Sequence, residues 1–165
     1  MIVNTKKSIG KERHIYLMWD NRSDVVRVRF DLDDRAERMD RERWYVFHFT
    51  DLPLVSITAE VTVRWQKWDG DDVKLVIDGK TQKDLSGIFR KDWLWRARPF
   101  GKTIRVKKFF TPNLPQGNHM VEFWADQTPV LHAVEFDCTG YVRKPNVYNP
   151  LWTGNFADDS DTILL

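Results

Sequence analysis

The segment from Asn113 to Phe136, NLPQGNHMVEFWADQTPVLHAVEF, constrains the fold of this chain more than any other. Asn113-Leu114-Pro115-Gln116-Gly117 is turn chemistry, with Pro fixing φ and Gly free to take φ > 0. His119, Val121, Phe123 and Ala125 then alternate with Met120, Glu122, Trp124 and Asp126, the period of a half-buried strand. Asp126-Gln127-Thr128-Pro129 turns the chain, and Val130 to Phe136 returns. A closing hairpin of this kind predicts an all-β fold, an antiparallel two-sheet β-sandwich. It points to binding rather than catalysis.

The rest of the chain repeats that pattern. Val26, Val28 and Phe30 alternate with Val25, Arg27 and Arg29, which predicts a strand. The mixed-charge run 31–43, DLDDRAERMDRER, reads as a short helix or a solvated loop, the loop being preferred. Tyr45, Phe47 and Phe49 share one face of the next strand. Ile57, Ala59, Val61, Val63 and Trp65 point inward from a longer one. Asp69-Gly70-Asp71-Asp72 is a strong turn signal, Val73, Leu75 and Ile77 form another inward set, and Asp78-Gly79 closes a hairpin. Residues 80–102 read as irregular, and 104–110 as a strand. About seven or eight short strands separated by turns predict a sandwich or jelly roll. Its bounds fall at residues 24–139, between an N-terminal extension, 1–23, and a linker or strap, 140–165.

Composition narrows the function. With 42% apolar and 30% charged residues the chain supports a core and a solvated surface. A net charge of +2 argues against a polyelectrolyte binder. No apolar run approaches the ~18 residues of a membrane span. The N-terminus is too polar for a secretory signal. The localisation is then extracellular or cell-wall associated if the chain is part of a longer secreted protein, and cytoplasmic otherwise. The single Cys138 excludes an internal disulfide and has no neighbours that would activate a thiol.

No catalytic constellation is present. HExxH, CxxC, Walker and GxSxG patterns are all missing, and His14, His48, His119 and His132 lack metal-ligand spacing. Asp69, Asp71 and Asp72 are the one candidate cation site, for a structural calcium, against a plain hairpin role. The chain is therefore expected not to be an enzyme by itself.

The chemistry concentrates in 89–110, FRKDWLWRARPFGKTIRVKKFF, with eight Lys/Arg against one Asp and interleaved aromatics. Cations with stacking rings serve single-stranded nucleic acid. Flat rings with hydrogen-bonding side chains serve sugars equally well. Trp93 and Trp95 fall in the irregular segment, where fewer core positions await a ring. Trp93, Trp95 and Trp68 are the expected stacking residues, with Arg90, Arg96, Arg98 and Asp92 as polar contacts.

The strings GDDVKLVIDGK, LPQGNH, VEFWADQTP and the final VEF resemble the galactose-binding-like jelly-roll domains that include many carbohydrate-binding modules. The resemblance runs from Asp24 to Asp137. It implies a sandwich that binds a glycan in loops at one edge or on a concave sheet face, usually attached to an enzyme. Such modules often carry a structural calcium that no acidic set here matches. Their sugar-binding subset often has an Asn after the terminal strand, where this chain has Asp137-Cys138-Thr139. The tail NPLWTGNFADDSDTILL resembles the lead-in to bacterial cell-wall hydrolase domains of the spore-cortex-lytic type, and Asp158 to Asp161 suit a helix N-cap. That implies a module aiming an absent catalytic domain at peptidoglycan or a related anionic wall polymer. The alternatives are a protein-interaction or spacer sandwich, and a nucleic-acid binder acting through 89–110.

Overall fold

The computed structural model describes residues 1–7, 12–20, 26–84 and 92–140. All regular structure among them is β. In chain order the strands are β1 (Ile2–Lys7), β2 (Arg13–Met18), β3 (Arg27–Arg35), β4 (Met39–Leu54), β5 (Ser56–Val63), β6 (Trp65–Gln66) and β7 (Asp69–Gly70). Then follow β8 (Asp72–Ile77), β9 (Lys80–Thr81), β10 (Trp95–Arg96), β11 (Ile104–Phe110), β12 (Leu114–Gln127) and β13 (Val130–Asp137). No helix among the described residues is long and apolar enough to cross a membrane.

Two sheets pack face to face. The larger has seven strands in the order β1-β2-β4-β12-β8-β10, with β9 paired to β8. The smaller has four, in the order β11-β5-β13-β3, and β6 with β7 makes a separate hairpin. Every pairing is antiparallel except β2 with β4, which is parallel. Residues 2–7 and 13–18, assigned above to an extension, thus widen the large sheet at one edge.

From β3 onward the chain alternates between sheets: β3, β5, β11 and β13 lie in the small one, β4, β8, β12 in the large. This corrects the expected closing hairpin. β12 pairs with β4 and β8, whereas β13 pairs with β3 and β5, so the turn at 127–129 carries the chain across the sandwich. Gln127 takes φ 65 there, and the Pro129 carbonyl accepts the amide of Ala36. Alternation in a sequence fixes which face is buried, not which strand lies alongside.

The core follows the predicted sets. Ile57, Ala59, Val61 and Val63 of β5 are fully buried, as are Val73 and Leu75 of β8 and Val121, Phe123 and Ala125 of β12. Phe47 of β4 meets Phe136 of β13 at 4.8 Å and Phe30 of β3 at 5.4 Å, ring centroid to centroid, which joins the sheets through aromatic contacts. The charged run 31–43 is not a loop. It completes β3, turns at 36–38 and opens β4, because β13 offers backbone partners to Asp31, Asp34 and Arg35 while Asp31, Asp33 and Arg35 stay in water.

Winding of this kind gathers the connections at two ends. One end holds residues 36–38, 64–71, 97–103 and 127–129, and the other holds 78–79, 111–113 and 138–140. The first end carries the exposed rings of Trp68 and Phe100.

Candidate functional site

β6 and β7 form the shortest hairpin in the fold, with Trp65 opposite Gly70 and Gln66 opposite Asp69. Lys67 and Trp68 make its turn, and Lys67 takes φ 48, a left-handed conformation that costs about 1 kcal/mol or more in a residue other than glycine. Gly70 is required beneath the Trp65 ring. A Cβ there would sit 2.9 Å from Trp65 Cε3 and 2.9 Å from the Cβ of Ala97. The second loop turns at 98–101, where the Gly101 amide donates to the Arg98 carbonyl at 2.8 Å. Phe100, at its tip, takes φ 57.

These two turns bring three rings together. Trp65 and Phe100 lie 5.5 Å apart, and Phe100 meets Trp68 edge-on at 5.8 Å. Trp68 is 83% exposed and Phe100 74%. Leaving two such rings in water forgoes roughly 2–3 kcal/mol each of burial. The result is a small aromatic shelf, rimmed by the exposed side chains of Lys67, Arg98 and Lys102.

Asp71 makes the shelf rigid. It is fully buried, and its carboxylate accepts from the Arg64 amide (3.0 Å), Gln66 Nε2 (2.9 Å) and the Thr128 amide (2.9 Å), with Arg64 Nε at 4.0 Å. Its carbonyl accepts the Ala97 amide at 3.0 Å. Asp69 accepts from the Gly70 amide and from Gln127 Nε2 at 2.8 and 2.7 Å. Asp71 thus ties the 64–71 hairpin to the loop at 128 through its carboxylate and to the loop at 97 through its carbonyl.

That arrangement is the plain hairpin chemistry weighed against calcium for this turn. The oxygens of Asp69 and Asp71 accept from N–H donors of the protein. Asp72 is buried, in register with Arg96 and Asp126. Among the described residues no group of three His, Cys, Asp or Glu gathers to hold a metal.

The expected sugar contacts separate into several places. Trp95 is 2% exposed; its ring packs on Phe110 and Phe123, and its Nε1 donates to the Val106 carbonyl at 3.1 Å. Its assignment as a stacking residue is therefore corrected: two residues of strand, β10, paired to Val73 and Asp72, suffice to turn the indole inward. Trp93 is half-buried on another surface, with Lys74 Nζ 5.2 Å above its ring and 4.3 Å above that of Trp124. Arg96 is half-buried and 3.8 Å from Asp84, and Asp92 is exposed, 4.0 Å from Lys83. Arg90 lies outside the described residues. Of the expected set, only Trp68 and Arg98 lie in the two turns that build the shelf.

Phe100 and Trp65 complete it and were missed as contacts. The signal for Phe100 was its place between Pro99 and Gly101, because an aromatic at the tip of a Pro/Gly turn has no core position to fill. Cys138 is fully buried, and burial ahead of the Asp137 charge pushes its thiol up to about 12. It is an inert core group.

No protein-family model matches the chain, and no curated protein matches it. Among solved structures, the chain is similar to a β-glucosidase from Paenibacillus barengoltzii at 13% identity and a TM-score of 0.33. The match covers 78% of this chain and 11% of that one, so the chain spans about a tenth of the enzyme's length. The fold and the shelf define a two-sheet β-sandwich that presents rings at one loop end.

Proposed function

We propose that this chain is a non-catalytic carbohydrate-binding module that holds a polysaccharide against Trp68 and Phe100. The carrying observation is the exposure of two large rings on turns with left-handed backbone, clamped from below by a buried carboxylate. A pyranose offers an apolar C–H face to such a shelf. Its hydroxyls then reach Lys67, Arg98 and Lys102 at the rim. Those cations favour an anionic chain, and a bacterial cell-wall glycan such as peptidoglycan is the target we assign. The module would carry an attached enzyme to that surface and needs no calcium to do so.

Pull-down on insoluble peptidoglycan, chitin, cellulose and xylan tests the reading. Trp68→Ala and Phe100→Ala should each reduce retention about tenfold or more, because one stacked ring is worth ~1–3 kcal/mol in comparable complexes. Neither should lower the melting temperature appreciably. Retention unchanged in both variants would refute the assignment and leave an interaction or spacer role.

A second reading has one observation in its favour. Arg105, Lys107 and Phe109 of β11 are exposed together on an edge strand, as in a single-strand nucleic-acid binder. Arg105 is already paired with Glu60 at 2.9 Å. Oligonucleotide binding that falls steeply with salt and persists in Trp68→Ala and Phe100→Ala would support that reading.

A further inference from the structure

On the face of the large sheet turned away from the small one lies an open cleft of about 460 Å³. Its frame is rigid. Asp78 accepts from the Met120 amide at 2.7 Å and pairs with His119 Nδ1 at 2.8 Å, while His119 Nε2 donates to the Pro115 carbonyl at 2.6 Å. Three other lining groups are uncommitted: the hydroxyls of Tyr16 and Thr50 and Nδ1 of His48 have no protein partner among the described residues. His48 Nδ1 is not sealed from solvent either.

The state of that nitrogen is set from a distance. Glu12 is held by Arg43 Nε at 2.9 Å, and its carboxylate lies 3.4 Å from His14 Nε2, which favours the proton of that imidazole on Nε2. His14 Nδ1 is then an acceptor, and His48 Nε2, 2.8 Å away, donates to it. The remaining nitrogen of His48 consequently carries a lone pair. The Tyr16 ring, stacked on His48 at 4.5 Å, fixes the orientation of the imidazole.

We propose that this cleft is a second ligand site that takes a single neutral hydroxylated ring, a sugar residue, with one hydroxyl donating to His48 Nδ1 and others accepting from Tyr16 and Thr50. The ligand class rests on the carbohydrate reading above; the site does not. Met120 supplies the apolar wall a sugar's C–H groups need. Binding is lost in acid, because a protonated His48 has no lone pair to offer. The charged and titratable groups around it are Glu12 just before β2, His14 and Tyr16 of β2, Arg43 of β4, Glu122 and His119 of β12 and Asp78 of the β8–β9 turn. Burial, ahead of His14 and Arg43, holds the His48 proton affinity below its ordinary value, so the acceptor persists through neutral pH.

Imidazole ¹⁵N spectra of the whole chain test the assignment, with methyl glycosides of glucose, galactose, mannose and N-acetylglucosamine as probes. The free protein should show His48 as the Nε2–H tautomer. At least one probe should shift His48 Nδ1 and the Met120 methyl, equally in the Trp68→Ala/Phe100→Ala double variant. His48→Phe, which keeps the stack on Tyr16, should weaken that probe about tenfold. An Nδ1–H tautomer, or no response to any probe, overturns the proposal. So does a response that vanishes in the double variant, since only the loop-end shelf would then exist. A cleft response beside unchanged polysaccharide retention in the shelf variants would sink the loop-end reading and leave this one standing.

Discussion

Replacing Asp71 with Ala should damage the loop end more than any other single change there. The carboxylate is fully buried and accepts from two backbone amides on different connections, Arg64 and Thr128, and from Gln66 Nε2. Each donor left without its charged acceptor costs about 1–3 kcal/mol. Arg64 is 39% exposed along its side chain, so water screens much of its loss. The net cost should be about 3–5 kcal/mol, the range for breaking a buried charged contact. At roughly 2–4 °C per kcal/mol for a domain of this length, the melting temperature falls by about 6–20 °C. Asp71→Asn should fall between, because one oxygen remains an acceptor while the new amide N–H₂ meets other donors. Thermal unfolding followed by far-ultraviolet circular dichroism reads both. Polysaccharide retention should fall in Asp71→Ala even at temperatures where it is folded, since the hairpin carrying Trp68 loses its tie to the loop at 128. A melting temperature within about 2 °C of the parent would refute the reasoning. A large fall on adding a chelator to the parent would refute it differently, by showing that a cation rather than these N–H groups faces the carboxylate.

Four further outcomes follow from the same contacts. Trp95→Ala removes a ring buried between Phe110 and Phe123 and should cost ~3–5 kcal/mol, read as a lowered denaturant midpoint. Phe100→Gly should abolish shelf binding while raising or preserving the melting temperature, because glycine adopts φ 57 without the strain Phe100 bears. His48 is neutral in both states above its ordinary value of 6.5; below it the unfolded chain takes up a proton the folded one resists, so stability should decline as pH drops through that value, less so in His48→Phe. Cys138 should react with a thiol reagent at the rate of global unfolding, since it is fully buried and pushed up to about 12.

What the sequence made legible was period, and what it hid was partnership. Val26, Val28 and Phe30, or Ile57 to Val63, declare their buried face through alternation alone. Nothing in VEFWADQTPVLHAVEF states that its two strands separate into opposite sheets, because a tight turn serves a hairpin and a sandwich corner alike. The run 31–43 misled for a related reason: its charges suit the solvent face of a strand as well as a loop, and β13, almost a hundred residues away, decides between them. Trp95 misled because a two-residue strand leaves no period to detect. The cleft was invisible because pairing leaves no mark in the period. Glu12, His14, Tyr16 and His48 come together only through the parallel β2–β4 pairing, which joins a presumed extension to the middle of the sheet.

The two aromatic surfaces differ in what holds them, and that difference bears on function. The shelf rests on turns, strained at Lys67 and Phe100, above one buried acid. Trp68 and Phe100 bury little by being where they are, so a ligand would compensate their exposure, whereas Trp65 also packs on the core. The cleft rests on the sheet itself: Tyr16 and His48 are register partners on adjacent strands, and their stacking stabilises the β2–β4 edge whether or not anything binds. Removing Trp68 or Phe100 should therefore affect binding alone. Removing a cleft ring should affect binding and edge stability together, which is why His48→Phe, with the stack intact, separates the two where His48→Ala cannot.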